Sequence, residues 1–506
     1  MAVPSNDLLQ AIANNHSSNI ALRGANDLTL TYAELNSLIK HQCTAWKALV
    51  TDVHSKHNPT MALAVDNHPA WIALDLAAMH CNIPVVPLPF FFSAAQWLHA
   101  MQDAGVSVLV TDQPQLFEPL LAQQHPTITR FELAGKLLTQ FEFTALRKVD
   151  LPANTAKITY TSGTTGNPKG VCLSHDNMLN VARSIVAATA VSSHDLHLSV
   201  LPLATLLENV AGVYATLLAG ASCTLLPSSE IGLSGASGLD IKKLLATLKK
   251  AAASTAIFTP ELLHALVLFL EAGESTPAHL RFLAVGGASV SPELLARAQK
   301  LGLPVYEGYG LSECASVVAL NKPGNNQPGT VGKPLPHIKV RFTDEHEIVI
   351  HGNAYLGYVG QQHMQHNSVY TGDIGHLDKD GYLVISGRKK NIFITSFGRN
   401  VSPEWVEREL KISPHIAQAA LFGEAKPWNV AIIVPRHGAN GEQIENTIKT
   451  INAQLPDYAR IGQWITADAP FSTSNQQLTS NGRNRRDVIL QHYQSKINAL
   501  YEGKSL

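Results

Sequence analysis

Short apolar runs alternate with helical patterns along most of the chain. The segments MALAVD (61–66), IPVVPL (83–88) and VSVLVTD (106–112) have strand length, and LTYAELNSLIKHQCTAWKALV carries apolar residues at helical spacing. Continuous apolar runs are typical of strands buried on both faces of a parallel sheet. The pattern recurs in SCTLLP, STAIFTP and LRFLAVGG, each followed by turn residues and a helical pattern. We therefore predict an α/β protein with layered subdomains and parallel strands.

The pattern changes at about residue 329 to short strands separated by Gly and Asp turns, as in HEIVIHG and GYLVISG. This change predicts a β-rich subdomain over about 329–387. A composition break follows at SGRKKN, and a helix (SPEWVERELKI) and a strand (VAIIVP) come after it. We predict a large N-terminal domain over 1–387 and a small α+β C-terminal domain over 388–506.

Composition excludes several function classes. The 506 residues are 45% hydrophobic, which is enough for well-filled cores and unlike a disordered chain. The net charge of −1 argues against nucleic-acid binding by bulk charge. Five cysteines lack disulfide or zinc spacing, as in a reducing compartment. The N-terminus lacks the features of a secretory signal, and the most apolar stretch, 262–270, is far below the ~20 residues of a membrane span. We expect a cytoplasmic protein without a transmembrane segment.

The segment TYTSGTTGNPKGV (159–171) concentrates three glycines, five Ser or Thr side chains and one lysine. Its first part, KITYT (157–161), reads as a strand that leads into a loop. Glycines let the backbone approach a ligand, hydroxyls donate to phosphate oxygens, and Lys169 adds a mobile charge. The loop is either a polyphosphate cradle or an ordinary Gly-rich turn. It is not the common P-loop, because Pro168 and not Gly lies five positions after Gly163.

Two later segments add candidate ligands of a nucleotide. YEGYGLSE (306–313) puts an aromatic residue between glycines, followed by a hydroxyl and a carboxylate, and YTGDIGHLDKDGYLVISGRKKN (370–391) supplies Asp373 and Arg388. In this order the three segments resemble the adenylate-forming superfamily, which includes acyl- and aryl-CoA synthetases, luciferases and adenylation domains of peptide synthetases. The resemblance extends from about residue 20 to residue 490. LPLATLLENV and GRKKNIFITSFGRNVSPEWVE are most similar to bacterial long-chain acyl-CoA synthetases.

The resemblance implies a role for each part of the nucleotide site. Glu313 would bind Mg²⁺ together with Thr161, and Tyr309 would stack on adenine. Asp373 would accept hydrogen bonds from the ribose hydroxyls, with Arg388 alongside. The phosphates would be held by Thr161, Ser162, Gly163, Thr164, Thr165, Gly166 and Lys169. The adenine and acyl pocket would be lined by Gly286, Gly287, Ala288 and Glu307. The remaining nucleotide-binding residues would be Gly308, Tyr309, Gly310 and Ser312.

The C-terminal part departs from the family pattern. The family carries a lysine that bridges the carboxylate and the α-phosphate, whereas LTSNGRNRRDVI puts Arg483 at that position. Arginine keeps the charge, but it is planar and wider. It could bind both anions as a fork or be too bulky for full activity, and Arg485 or Arg486 could replace it. The implied catalytic set is therefore Lys169, Glu313 and Arg483.

The resemblance also implies that the small C-terminal domain is mobile and rotates between the two half-reactions. Lys390 would be the hinge of this domain, and Gly398 would lie near the arm of the thiol acceptor. Thr205 stands where long-chain members tend to have histidine, which affects the acyl entrance.

The resemblance implies ATP-dependent activation of a fatty or related aliphatic carboxylic acid through an acyl-AMP. The acyl group would then pass to a thiol, either CoA or the phosphopantetheine of an acyl carrier protein. Two alternatives stay open: an adenylating enzyme that uses a non-thiol acceptor or cyclises a hydroxy acid, and a non-catalytic relative that binds acyl chains or nucleotides. Arg483 favours the binding-only alternative, while the intact loop, Glu313 and Asp373 oppose it.

Overall fold

A computed structural model describes residues 7–14, 18–50, 59–161, 168–234, 238–361, 367–479 and 482–502. Its helices are α1 (Asp7–Asn14), α2 (Tyr32–Ala45), α3 (Lys47–Val50), α4 (Pro69–Cys81), α5 (Ala94–Asp103), α6 (Pro114–Leu121), α7 (His175–Thr189), α8 (Ala215–Leu218), α9 (Ser228–Ile231), α10 (Ile241–Lys250), α11 (Pro260–Glu271), α12 (Pro292–Lys300), α13 (Pro403–Ile412), α14 (Gly441–Asn452) and α15 (Arg486–Tyr501). A π-helix spans Leu207–Tyr214, and 3₁₀ turns span Ala122–Gln124, Ser312–Cys314 and Asp457–Ala459.

The described strands before residue 300 are β1 (Ile20–Arg23), β2 (Thr29–Thr31), β3 (Thr60–Ala64), β4 (Val85–Pro87), β5 (Val106–Thr111), β6 (Thr127–Leu133), β7 (Lys136–Glu142), β8 (Lys157–Thr161), β9 (Lys169–Leu173), β10 (Leu196–Leu198), β11 (Ser222–Thr224), β12 (Leu233–Ser234), β13 (Gly238–Leu239), β14 (Thr255–Phe258) and β15 (Phe282–Val285). Those that follow are β16 (Val305–Leu311), β17 (Ser316–Leu320), β18 (Lys333–Pro334), β19 (Lys339–Phe342), β20 (Glu347–His351), β21 (Gly357–Tyr358), β22 (Ser368–Leu377), β23 (Leu383–Arg388), β24 (Phe393–Ile394), β25 (Asn400–Val401), β26 (Ile416–Phe422), β27 (Asn429–Pro435) and β28 (Ile461–Thr466).

Two large sheets form the first part of the fold. One has nine strands in the order β18-β17-β16-β15-β14-β10-β11-β1-β2, and the other has eight in the order β21-β9-β8-β4-β3-β5-β7-β6. Their central pairs, such as β15 with β14 and β3 with β4, are parallel. The apolar runs that predicted parallel strands fall on these central strands, because strands covered by helices on both faces need few polar residues. The predicted α/β class is confirmed.

Helix starts in this part are set by local side chains. Thr31, Ser93 and Ser174 each form a capping box with the residue three positions on, so that orphan N–H groups of the first turn are bonded. The lysines of α10 are exposed while Leu244 and Leu248 are buried. The KKLLATLKK segment is thus a solvated helix face packed on one apolar side.

In the last third of the chain, large sheets with parallel central strands give way to smaller sheets, and the sequence pattern predicts a β-rich region here. An antiparallel sheet, β19-β20-β22-β23, ends at Arg388, and a three-stranded sheet, β26-β27-β28, follows with α13 to α15. Two buried apolar clusters consist only of residues from Phe393 onward. A body with its own core can behave as a unit. The boundary between 387 and 388 stays a prediction.

None of the helices in the described ranges combines the length and the apolar character that crossing a bilayer requires. The five cysteines all lie in those ranges and are free, and burial raises the pKa of the Cys172 thiol to about 12. A neutral, buried thiol acts as a small packing residue.

A buried ion pair anchors the strand that leads into the glycine and hydroxyl loop. At the first position of β8, the Lys157 ammonium lies 2.9 Å from Asp75 Oδ1 on α4, and both side chains are 2% exposed. The Tyr214 hydroxyl donates to Asp75 Oδ2 at 2.6 Å, and Asn209 bonds to both charged groups. Burial lowers the pKa of Lys157. The network ties β8 to α4 and to the π-helix.

We predict that Lys157→Met lowers the free energy of unfolding by about 3–5 kcal/mol, because the Asp75 carboxylate would stay buried without its cation. Urea unfolding measures the loss. The matched control, exposed Lys250→Met on α10, should change stability by less than about 0.5 kcal/mol. An Asp75→Asn, Lys157→Met double variant should recover part of the loss. Equal midpoints for Lys157→Met and Lys250→Met would contradict this account.

Candidate nucleotide site

The predicted phosphate loop connects two paired strands. Thr161 ends β8 and pairs with Lys169 at the start of β9 in an antiparallel register. The loop residues that were predicted to bind phosphate and that lie outside the described residues are Ser162, Gly163, Thr164, Thr165 and Gly166. The two strands hold the ends of the loop side by side, which is the arrangement that a cradle of backbone N–H groups requires.

Lys169 and Glu313 meet through an aromatic residue that the sequence analysis missed. The Lys169 ammonium lies 5.3 Å from the centre of the Tyr358 ring, and the Tyr358 hydroxyl donates to Glu313 Oε1 at 2.9 Å. Strand β21 brings Tyr358 here by pairing with β9, where Tyr358 stands opposite Val171. Burial, followed by the charge of Glu313, raises the pKa of Tyr358. The phenol therefore stays a neutral donor that orients the carboxylate.

Glu313 lies in the 3₁₀ turn Ser312–Cys314, and both Ser312 and Glu313 are half-buried. The two residues that follow the turn, Ala315 (φ 58°) and Ser316 (φ 109°), are in the left-handed region although they are not glycines. Such strain is typical of functional sites. Among the residues that the structure describes, no group of three His, Cys, Asp or Glu side chains could hold a metal.

The second half of the site is centred on Asp373, which is 4% exposed. Its Oδ2 accepts a hydrogen bond of 2.6 Å from the Tyr309 hydroxyl, and its Oδ1 lies 2.8 Å from Arg388 Nε. Asp373 and Arg388 are direct neighbours on β22 and β23. Burial and the Asp373 charge raise the pKa of Tyr309 well above its usual value. The structure thus brings three of the predicted nucleotide residues together.

The glycines of YEGYGLSE have a packing role that sequence reasoning did not separate from ligand binding. A Cβ at Gly310 would lie 1.6 Å from the Ser316 carbonyl oxygen, and one at Gly308 would lie 3.0 Å from the Leu320 side chain. Strand β17 pairs with β16 in antiparallel orientation at this point, with a register shift between Tyr309 and Gly310. Only glycine fits at position 310, whatever the ligand.

A turn after β15 carries the predicted pocket-lining residues. Gly287 is in the left-handed region (φ 86°), and Gly287, Ala288 and Ser289 are exposed. Behind this turn, Glu307 on β16 is buried and accepts a 3.2 Å hydrogen bond from the Val290 N–H. Burial raises the pKa of Glu307 to about 7. Glu307 therefore supports the turn from inside.

Arg483 reaches the same turn from the C-terminal part of the chain. Its Nη2 donates to the Gly287 carbonyl at 3.0 Å. The Arg483 side chain is exposed to solvent on one side, while protein atoms surround the guanidinium on the other. This desolvation lowers the pKa of Arg483; the charge of Arg388 lowers it further, and the charge of Asp373 raises it. Arg486, which was weighed as a substitute, instead pairs with Glu407 at 2.6 Å. Of these two arginines, Arg483, at the lysine position, is thus the one that contacts the predicted pocket-lining turn.

Two predicted residues lie in turns of the C-terminal part. Lys390 lies between β23 and β24 with an exposed side chain. Partial desolvation of its ammonium by nearby protein atoms, followed by the charges of Arg388 and Arg483, lowers its pKa. Gly398, with φ 69°, lies between β24 and β25, next to Phe397, whose side chain is 75% exposed. Their roles as hinge and thiol-acceptor contact stay predictions. At the predicted acyl entrance, the Thr205 hydroxyl donates to the Pro202 carbonyl at 2.8 Å and so shapes the turn before the π-helix.

Comparison with known proteins agrees with this geometry. Residues 9–361 match the family model of the AMP-binding enzyme, and residues 390–505 match that of the AMP-binding enzyme C-terminal domain. Oxalate–CoA ligase of Arabidopsis thaliana is 28% identical, over 97% of this chain and 98% of the relative. Long-chain-fatty-acid–CoA ligase FadD15 of Mycobacterium bovis is 27% identical, over 85% and 86% respectively.

The solved structure of the anthranilate CoA ligase AuaEII in complex with anthranoyl-AMP superposes with a TM-score of 0.79. The match covers 96% of each chain at 17% sequence identity. At this identity the likeness shows a shared fold.

We predict that Tyr358→Phe raises the Mg²⁺ concentration needed to half-saturate ATP binding about tenfold, because the orienting hydrogen bond to a charged carboxylate is lost. Mg²⁺ titrations of ATP binding by calorimetry measure the change. Tyr382→Phe is the matched control, since Tyr382 also lies under a lysine, Lys333, at 4.7 Å. If Tyr358→Phe and Tyr382→Phe need the same Mg²⁺ concentration, Tyr358 does not orient Glu313.

We predict that Glu307→Gln is more stable than the native protein at pH 8 by up to roughly 3 kcal/mol and equal to it at pH 4. The pKa of Glu307 rises from 4.5 to about 7 on folding, so the folded state holds the proton more tightly. Stability of the native protein therefore falls as pH rises from about 4.5 to 7, and glutamine removes this loss. Thermal unfolding at both pH values is the test; parallel curves would contradict it.

Proposed function

Because the chain belongs to the AMP-binding enzyme family, we propose that it is an acid–thiol ligase that activates a carboxylic acid with ATP. In the first half-reaction a carboxylate oxygen forms a bond to the α-phosphorus, the bond to the β-phosphate breaks, and pyrophosphate leaves. In the second, a thiol sulfur attacks the acyl carbon and AMP leaves. The observation that carries the proposal is that Arg483 donates to the Gly287 carbonyl and interacts electrostatically with Arg388 and Asp373.

The first half-reaction must overcome repulsion between two anions. A carboxylate and a phosphate charge about 4 Å apart repel by roughly 4 kcal/mol at an effective dielectric of 20. Lys169, Arg388 and Arg483 supply positive charge around the site. Arg483 is the arginine best suited to bridge the acid and the α-phosphate, since its planar fork can donate to two oxygens. Fixed donors of this kind stabilise the transition state without reorganising.

Two carboxylates, Asp373 and Glu313, are proposed to bind the nucleotide and its metal ion. Each oxygen of Asp373 uses one lone pair, for Tyr309 or for Arg388, and keeps another for a ribose hydroxyl. Glu313, oriented by Tyr358, would hold Mg²⁺ with Thr161, and the ion would neutralise phosphate charge. These assignments keep the predicted roles of Asp373 and Glu313.

We propose that residues 388–506 act as a mobile domain with Lys390 as its pivot and Gly398 near the incoming thiol. The separate apolar clusters after Phe393 support this division. CoA is the thiol that fits the similarity to CoA ligases, and a carrier-protein phosphopantetheine is the alternative acceptor. Free cysteines are in keeping with a cytoplasmic location.

A fatty or related aliphatic acid is the proposed substrate class. The similarity to FadD15 supports it, and so does the segment LPLATLLENV. Exchange of labelled pyrophosphate into ATP, run with a panel of aliphatic acids of increasing length, oxalate and anthranilate, identifies the acid. Exchange with aliphatic acids is expected. Exchange with oxalate or anthranilate alone would overturn the substrate class, and exchange with none would favour the binding-only alternative.

We predict that Arg483→Ala lowers carboxylate-dependent exchange at least about 100-fold, since a donor aimed at the developing charge is lost. Arg483→Lys should fall between the native protein and Arg483→Ala, because lysine keeps the charge without the fork. Arg341→Ala, an exposed arginine on β19, is the control and should leave the rate unchanged. A rate increase in Arg483→Lys would show that the arginine is a handicap.

A further inference from the structure

The turn at 286–291, here called the pocket turn, is held by two different parts of the chain. Its ends are fixed from the N-terminal side, where the Gly286 N–H donates to the Phe258 carbonyl at 3.2 Å and Val290 N–H bonds to Glu307. Its middle, 287–289, is exposed and receives hydrogen bonds from the C-terminal side. One of these comes from Arg483.

The second comes from Arg408 on α13, a residue that no step above uses. Arg408 Nη1 donates to Ser289 Oγ at 2.7 Å. Its Nε and Nη2 both lie within 3.1 Å of Glu409 Oε1, and the side chain is 22% exposed. Glu409 thus fixes the guanidinium so that its remaining edge faces the pocket turn.

The two contacts are two residues apart on the turn. Because the Arg408 contact at Ser289 and the Arg483 contact at Gly287 share one short backbone segment, a shift at Ser289 moves the carbonyl that Arg483 binds. A displacement of the Gly287 carbonyl would move the Arg483 guanidinium, and a misplaced catalytic group aligns poorly with the reacting atoms.

We propose that Arg408 is a positioning residue: through Ser289 it couples docking of the C-terminal domain to the conformation of the pocket turn and so aligns Arg483 for acyl-adenylate formation. This inference rests on the proposed function. It assigns Arg408 to the first half-reaction, in which Arg483 acts, and not to thiol attack on an acyl-AMP already formed.

Another contact between the two parts offers a matched control. Arg436, just after β27, lies with Nη2 3.2 Å from His264 Nδ1 on α11. This contact also joins the C-terminal part to the N-terminal part, but it does not involve the pocket turn. Arg436→Gln removes an arginine of the same kind and leaves the turn's own contacts in place.

The test is a double-mutant cycle on kcat/KM for carboxylate-dependent pyrophosphate exchange, with Arg408→Gln, Ser289→Ala and their combination. We expect kcat/KM to fall about tenfold in Arg408→Gln. The double variant should show the same loss, because both substitutions remove the same Arg408–Ser289 contact. Arg436→Gln combined with Ser289→Ala should be additive. Thioester formation from supplied acyl-AMP should change less than about twofold, and Arg408→Lys should restore part of the exchange rate.

Losses that multiply in the Arg408→Gln, Ser289→Ala variant would overturn the proposal. An equal loss in both half-reactions would do the same, because it would show a merely structural role. Hydrogen exchange of peptide 286–291 gives a readout that does not need turnover: Arg408→Gln should exchange faster there, and Arg436→Gln should not. If the native protein shows no pyrophosphate exchange, the proposed function fails. The difference in hydrogen exchange between Arg408→Gln and Arg436→Gln still decides whether Arg408 holds the turn.

Discussion

The buried carboxylate of Asp373 is the point on which the site depends. It accepts from Tyr309 and pairs with Arg388, so it joins β16, β22 and β23. A buried charge is tolerated only when its oxygens are bonded, and two partners satisfy it here. Arg388 in turn repels the guanidinium of Arg483 while Asp373 attracts it. The carboxylate that bonds to Tyr309 of the large sheet and to Arg388 of the β-rich sheet therefore also interacts electrostatically with the C-terminal arginine.

The same balance explains why the site is built from separate segments. A polyphosphate and a carboxylate bring several negative charges together, and the cations around this site come from different segments of the chain. Lys169 comes from the hairpin of β8 and β9, Arg388 from β23, and Arg483 from the segment before α15. The proposed mobility of residues 388–506 would let the Arg483 charge be present in one half-reaction and withdrawn in the other. Arg483 makes its contact at the pocket turn, on the Gly287 carbonyl.

The sequence was sufficient for the α/β class and for the change to a β-rich pattern near residue 329, because both depend on local patterns. The family resemblance named Tyr309, Asp373 and Arg388 as nucleotide residues, and the structure brings their side chains into contact. Tyr358 was missed because its contacts with Lys169 and Glu313 arise from the pairing of β21 with β9, which no local pattern indicates. Arg408 was missed for a similar reason, since an arginine on an amphipathic helix reads as a solvated residue. Gly310 was predicted for its ligand, whereas the structure shows a steric need as well.

In the proposed reaction, an oxygen of the acid attacks the α-phosphorus of ATP beside Arg483. This oxygen stays bonded to the phosphorus when the thiol takes the acyl group. Mass spectrometry of AMP formed from a carboxylic acid labelled with ¹⁸O in both oxygens tests this claim most directly. The account predicts one labelled oxygen in each AMP and one in the thioester. Label found in inorganic phosphate, or AMP without label beside a labelled product, would contradict it.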